Sequence, residues 1–216
     1  QGDRKIDLWF ERHHTVEVDF SDQKASFINF NRPEDITDYQ NDIVSHKPLI
    51  GFSAYSVTGK TTLLQHLIPL LKQRHVNVAV IKHAHHLFDI DKPGKDSYQI
   101  REAGAQQVLV ASSRLMALMQ TKQDDNTPRL SDLIERIDHN TVDLILVEGF
   151  KHEAFAKIEL HRPSVCKPFI YPEDDNIIAI ASDETLSLTR DIDTLDLNHI
   201  ESIADYLIDF IAKWNN

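Results

Sequence analysis

A single cysteine, Cys166, in 216 residues excludes an internal disulfide and any cysteine-rich zinc site. Positive charge is also scarce. The 23 Lys and Arg against 34 Asp and Glu leave a formal net charge of −11, without the basic footprint that nucleic acid or an anionic membrane surface requires. No apolar run reaches the length of a transmembrane helix, and the first residues lack the basic-then-apolar layout of a secretory signal. Internal repeats and low-complexity tracts are missing too. These absences predict a protein of the reduced cytoplasm, with no nucleic-acid and no membrane partner. The length allows one large domain, or one domain with an appendage, and a core of that size needs no covalent staples.

What is present begins with a loop. Ala54-Tyr-Ser56-Val57-Thr58-Gly59-Lys60-Thr61-Thr62 fits the phosphate-binding pattern G-x-x-x-x-G-K-[ST], with alanine in place of the first glycine. The apolar run from Pro48 to Ser53 leads in as a strand, and Leu63-Leu-Gln-His-Leu-Ile68 leads out as a helix. Such a loop gathers backbone N–H groups at a helix N-terminus, which suits a polyphosphate. Lys60 then reaches the terminal phosphates and Thr61 holds Mg²⁺. Ala54 still lets the chain turn. Val57 stands where such loops often carry glycine, and β-branched residues resist positive φ. The expectation is a negative φ at Val57 or a distorted empty loop, and a site that holds nucleotide rather than hydrolysing it fast.

From Pro48 onward strands and helices alternate, which predicts an α/β fold with a mainly parallel sheet flanked by helices. Strands are expected over 76–81, 107–111, 144–147 and 177–181, the last of these being the final central strand. The segment 114–120 is expected to pair beside 107–111, and the alternating run Lys157-Ile-Glu-Leu-His161 reads as an edge strand. Pro69 is expected to kink or break the helix after the loop. Asp96 or Ser97 is read as the cap of a helix running to Ala103 and stopped by Gly104. Helices over 130–137 and 200–214 follow. Residues 1–42 form a short β/α appendage: strand-like runs at 15–20 and 26–30, then a helix start at Asn31-Arg-Pro33-Glu34-Asp35. This piece is too small for a core of its own. Residues 43–47 read as a linker and 48–216 as the main domain.

Ligands of open parallel sheets sit at the carboxyl ends of the strands. Three of those ends are loaded: the loop itself, Lys82-His83-Ala-His85-His86 continuing to Asp89-Ile-Asp91-Lys-Pro-Gly-Lys95-Asp96-Ser97, and Asp143-Leu-Ile-Leu-Val-Glu148-Gly149-Phe150-Lys151. Glu148 is the strongest candidate outside the loop. A carboxylate directly after a buried apolar strand is costly without a partner, and there it can serve a metal or orient a water. His83 and His85 share a strand face and are either a metal pair or hydrogen-bonded polar residues. Asp89 and Asp91 read equally as solvated loop carboxylates, and Ser182-Asp183 stands where some P-loop GTPases read the base.

With those segments in view, residues 48–216 resemble the MobB family of molybdopterin-guanine dinucleotide biosynthesis adapter proteins. The resemblance rests on Ser56-Val-Thr-Gly-Lys-Thr-Thr62, Ile81-Lys-His-Ala-His-His86, Asp91-Lys-Pro-Gly-Lys-Asp-Ser97, Leu144-Ile-Leu-Val-Glu-Gly-Phe-Lys-His152 and Ala181-Ser-Asp183. It implies a P-loop NTPase fold that binds GTP with Mg²⁺, hydrolyses it weakly and forms homodimers. Its implied partners are the guanylyltransferase MobA and the molybdopterin cofactor. Carried across, Gly59, Lys60 and Thr62 bind phosphates, Thr61 and Glu148 serve the metal, and Glu148 is the catalytic candidate. Ser56, Thr58, His83, Lys95 and Asp96 complete the nucleotide-binding set.

The first region has its own resemblance. Val18-Asp-Phe-Ser-Asp22 followed by Phe27-Ile-Asn-Phe-Asn-Arg-Pro-Glu-Asp35 is similar to the C-terminal end of MobA, without the glycine-rich nucleotide loop that opens such a transferase. The expectation is the C-terminal part of a MobA–MobB fusion, unable by itself to transfer guanylyl. Two other enzymatic readings stay open, a P-loop kinase or ligase of a small metabolite and a metal-insertion GTPase. So does a loop that binds nothing.

Overall fold

The computed structural model describes residues 43, 45–84, 88–122 and 127–215. The calls on residues 1–42, and on His85 and His86, therefore lie outside the described residues. Chain order runs β1 (Leu49–Ser53), α1 (Lys60–Gln73), β2 (Val78–Lys82), α2 (Asp96–Glu102), β3 (Gln107–Ala111), β4 (Met116–Gln120) and α3 (Leu130–Ile134). It continues with β5 (Leu144–Glu148), β6 (Lys157–His161), β7 (Ile177–Ser182), β8 (Asp193–Asp196) and α4 (Ile200–Trp214). Six strands form one sheet in the order β2-β5-β1-β6-β7-β8, and each neighbouring pair is parallel. This is the expected α/β architecture. Strands β3 and β4 pair antiparallel as a separate two-stranded sheet, as the segment 114–120 predicts. No helix among the described residues is long and apolar enough to cross a membrane.

Alternation along each strand sorts the core into two layers. Ile50 and Phe52 of β1, Leu144 and Leu146 of β5, and Ile158 and Leu160 of β6 pack with Leu64, Leu67 and Leu71 of α1 and Ile203 and Leu207 of α4. The opposite face collects Leu49, Ile145 and Val147 with Leu130 and Ile134 of α3, Phe150 and Phe155. A buried Leu or Ile contributes about 1.5–3 kcal/mol in area terms, so these layers fix the order of the strands and the height of their ends.

Several expectations need correction. Pro69 does not break α1, which continues through it to Gln73. Packing of Leu67 and Leu71, both fully buried, outweighs the one backbone bond that proline cannot donate. Strand β2 starts at Val78 rather than Val76, because the N–H of Val76 still closes the end of α1 on the Leu71 carbonyl. Asp96 is not a cap. It is the first residue of α2, Lys95 stands at the N-cap, and no side chain bonds there; Asp96 contributes only favourable charge in the first turn. Helix α3 ends at Ile134, with Arg136 and Ile137 bonded back as tight turns. Strand β8 follows β7 as the edge, an element absent from the expectations.

The largest correction concerns β6. It is not an edge strand but lies between β1 and β7, buried along its whole length. Its polar side chains survive burial because remote groups satisfy them. Lys157 Nζ donates to the carbonyls of Lys151 (3.1 Å) and Glu153 (2.7 Å) and to Asp174 Oδ2 (2.8 Å). Glu159 accepts from the N–H groups of Ile170 (2.9 Å) and Tyr171 (2.8 Å). Burial still pushes the Glu159 carboxyl up, against the pull of those two donors. His161 stacks on Phe169 at 4.1 Å between ring centroids, and burial holds its imidazole below the usual range while Asp183 pulls it back.

Candidate functional site

Register places the strand ends level with one another. Phe52 of β1 and Lys82 of β2 both pair with Glu148 of β5, and Ser53 pairs with Glu159 of β6. The chain leaves β1 into the loop 54–59 and turns at once into α1, whose first residue is Lys60. The N-cap is Gly59 at φ 91, a left-handed conformation with a low cost only for glycine. The N–H of Leu63 returns to the Gly59 carbonyl at 2.9 Å, and the loop therefore opens at a helix N-terminus.

Val57 also adopts a left-handed conformation, at φ 69, with its side chain 87% exposed. Of the two alternatives expected at Val57, a negative φ or a distorted empty loop, the negative φ is overturned. For a β-branched residue this costs about 1–2 kcal/mol, so something around it must hold the loop. Thr58 is where the holding occurs. It is 2% exposed, and its hydroxyl donates to the Tyr55 carbonyl at 2.8 Å. Its own carbonyl accepts from Arg162 Nε at 2.9 Å.

Across from the loop, Glu148 lies between two lysines. Lys60 Nζ is 3.8 Å from Oε1 and Lys82 Nζ is 3.3 Å from Oε2. The Lys60 and Glu148 side chains are only partly exposed, so the pair is screened less than a surface ion pair. Beyond Glu148 the backbone turns sharply through Gly149 at φ 99 and Phe150 at φ 53. His83 closes this turn. Its N–H donates to the Glu148 carbonyl at 2.8 Å and its ring lies 4.9 Å from that of Phe150. A Cβ on residue 149 would stand 2.6 Å from the Cβ of His83.

The structure thus brings Ser56, Thr58, Gly59, Lys60, Thr61 and Thr62 together on one loop and helix start, with Lys60 facing Glu148 and His83 packed behind Glu148. Ser56, Thr61 and Thr62 are exposed. Lys95 and Asp96 are exposed at the start of α2, and no hydrogen bond or ion pair among the described residues joins their side chains to Lys60 or Glu148. Asp91 is not a solvated carboxylate, whereas Asp89 is, with its side chain 55% exposed. Arg101 binds both, at 2.8 and 3.1 Å, and the Asp91 side chain is 5% exposed. No cluster of three metal-ligating side chains occurs among the described residues. The residue that sequence reasoning missed is Arg162. The signal was its position one residue past β6, informative only once β6 is known to flank β1.

The chemistry of this donor set is that of a polyphosphate site. Backbone N–H groups and Lys60 supply positive potential, the Thr61 hydroxyl and Glu148 offer hard oxygen atoms, and hard oxygens are of the kind that suits Mg²⁺.

Comparison with known proteins agrees with this geometry. The family described as molybdopterin guanine dinucleotide synthesis protein B, MobB, matches residues 49–183. A molybdopterin-guanine dinucleotide biosynthesis adapter protein of Escherichia coli is 48% identical over 169 residues, covering 78% of this chain and 95% of the relative. The crystal structure of a molybdopterin-guanine biosynthesis protein B superposes with a TM-score of 0.61 at 25% identity, covering 76% of this chain and 99% of the other. A shorter match lies in the N-terminal part. There, 33 residues are 58% identical to a molybdenum cofactor guanylyltransferase of Shewanella loihica, covering 15% of this chain and 17% of that protein. From its loop, its sheet and these likenesses together, the chain belongs to the MobB family.

Proposed function

We propose that the chain is a GTP-binding adapter of molybdenum-cofactor biosynthesis that assists a MobA-like guanylyltransferase in forming molybdopterin guanine dinucleotide. It carries GTP with Mg²⁺ and hydrolyses it slowly, and the pathway sets it in the cytoplasm. The observation that carries the reading is Lys60 at the start of α1 facing Glu148 across the sheet rim at 3.8 Å. In this reading Lys60, Gly59 and Thr62 hold phosphate oxygens, Thr61 and Glu148 hold the metal, and Ser56 and Thr58 line the loop. His83 supports Glu148 from behind. The strained loop favours holding over turnover. Arg101 is committed to Asp89, Asp91 and Glu102, which removes it as a phosphate-poised arginine of a kinase lid.

Calorimetric titration with GTP and ATP side by side, with and without Mg²⁺, tests the reading, and equal affinity for both bases sinks the GTP assignment. Glu148→Gln keeps the size of the side chain but removes its charge and turns one acceptor oxygen into an N–H donor. It is expected to lower Mg²⁺-dependent hydrolysis about 10- to 100-fold while changing GTP affinity less than about threefold. An unchanged hydrolysis rate removes Glu148 from the catalytic role.

The same reading includes two assemblies. The likeness of the N-terminal part to a guanylyltransferase supports residues 1–42 as the end of a MobA-like domain fused to the 48–216 domain. The β3–β4 hairpin supports a homodimer. Its face carrying Leu109, Met116 and Leu118 is 52–69% exposed, and Leu109 pairs directly with Leu118. A two-stranded ribbon with an apolar outer face gains stability when a second copy covers it. Light scattering and mass spectrometry of the native protein test both. The expected result is a polypeptide longer than 216 residues and a native mass twice that of the polypeptide. A 216-residue polypeptide rejects the fusion, and a monomer at micromolar concentration rejects the dimer.

A further inference from the structure

We propose that Arg162, held by Asp183, is the positioning residue that sets the phosphate loop in its binding shape. The inference rests on the nucleotide-site reading above and adds to it a control point on the neighbouring strand end, backed by Asp183 one strand further out. Arg162 follows β6 and Asp183 follows β7, so both stand at the same rim as the loop. One guanidinium spans the gap, with Nε donating to the Thr58 carbonyl at 2.9 Å and Nη1 donating to Asp183 Oδ2. The planar fork of arginine makes two such directed bonds without rearrangement, which a lysine ammonium cannot.

What the clamp does follows from peptide geometry. In a trans peptide the C=O and N–H point in opposite directions. Holding the Thr58 oxygen toward Arg162 therefore aims the Gly59 N–H away from it. The segment needs such restraint. Val57 at φ 69 and Gly59 at φ 91 flank Thr58, and the valine resists the conformation it holds. Thr58 itself is pinned from the other side by its hydroxyl bond to Tyr55. Arg162 thus stabilises the left-handed valine from outside the loop. Asp183 in turn fixes the guanidinium, and its second oxygen, Oδ1, is buried with no hydrogen-bond partner among the described residues.

The test is a calorimetric cycle with Mg²⁺–GTP, Mg²⁺–ATP and tripolyphosphate as probes. Arg162→Ala is expected to weaken all three by about 10- to 100-fold, the loss of a charged hydrogen bond at the loop. Asp183→Ala should weaken all three in the same direction by less. In a Val57→Gly background, where the left-handed conformation costs little, the effect of Arg162→Ala should fall to about threefold or below. A merely structural role predicts the same loss in both backgrounds, and that result overturns the proposal. So does an Asp183→Ala loss confined to GTP, which assigns Asp183 to the base instead. If Arg162→Ala does not fold, Arg162→Lys replaces it, and affinity equal to wild type in that variant overturns the clamp. Lys60→Ala separates the two readings. Binding lost there but normal in Arg162→Ala rejects only the clamp, while no binding by the wild type rejects the site itself.

Discussion

Lys60→Ala should reduce the affinity for Mg²⁺–GTP by about two to three orders of magnitude and leave the fold intact. The size follows from removing a cation that makes charge-assisted bonds to phosphate in a partly shielded site, together with the positive potential it adds to the helix N-terminus. The fold should survive because Lys60 contributes little to packing. Its only ion pair among the described residues is a 3.8 Å contact with Glu148, a carboxylate that Lys82 continues to neutralise from 3.3 Å. A pair of that length between partly exposed groups contributes about 1 kcal/mol at most. Calorimetry with GTP reads the affinity, and circular dichroism reads the fold. Unchanged affinity in a folded variant defeats the assignment of the loop. A collapse of the fold would show that the Lys60–Glu148 contact holds the rim together, contrary to the geometry.

Gly149→Ala should be strongly destabilising for so conservative a change. Residue 149 sits at φ 99, and an added Cβ would approach the His83 Cβ to 2.6 Å and the His83 Cα and N to 3.5 Å. The conformational part costs about 1–2 kcal/mol and the overpacking about 1–3 kcal/mol, giving about 2–5 kcal/mol together. The strain cannot be relieved locally, because the His83 N–H is bonded to the Glu148 carbonyl and ties the end of β2 to the end of β5. Moving His83 therefore moves Glu148. Gly104→Ala is the matched control, since φ there is 108 and nothing lies within 4 Å of the new Cβ. Denaturant midpoints for the two variants separate the terms. Equal shifts would mean that the two strand ends part freely, and Glu148 would then not be held from behind.

The loop and Glu148 were legible in the sequence because their signals are local. An apolar run, a Gly-Lys-Thr turn and a helix are contiguous, and Leu144-Ile-Leu-Val147 announces a buried strand one residue before its carboxylate. What escaped depends on partners far along the chain. Lys157, Glu159 and His161 look like the wet face of an edge strand, and it takes Asp174, the carbonyls of Lys151 and Glu153, the N–H groups of Ile170 and Tyr171, and the ring of Phe169 to make their burial tolerable. Misplacing β6 hid Arg162, since a residue after an edge strand has no reason to meet the loop. Val57 escaped for a different reason. Its intrinsic preference opposes the conformation it holds, and tertiary bonds to Thr58 decide the outcome.

The strand order has a consequence for how the molecule is made. Strand β1, which delivers the phosphate loop, pairs with β5 on one side and β6 on the other, and with nothing from the 90 residues that separate it from β5. On an emerging chain the loop is synthesised well before the strands that flank and hold it. Its strand waits unpaired until residues 144–159 leave the ribosome, and such non-local pairing is slow. Nucleotide capture is therefore a property of the finished chain, and a nascent product cut short before β6 carries the whole phosphate-loop sequence without the site.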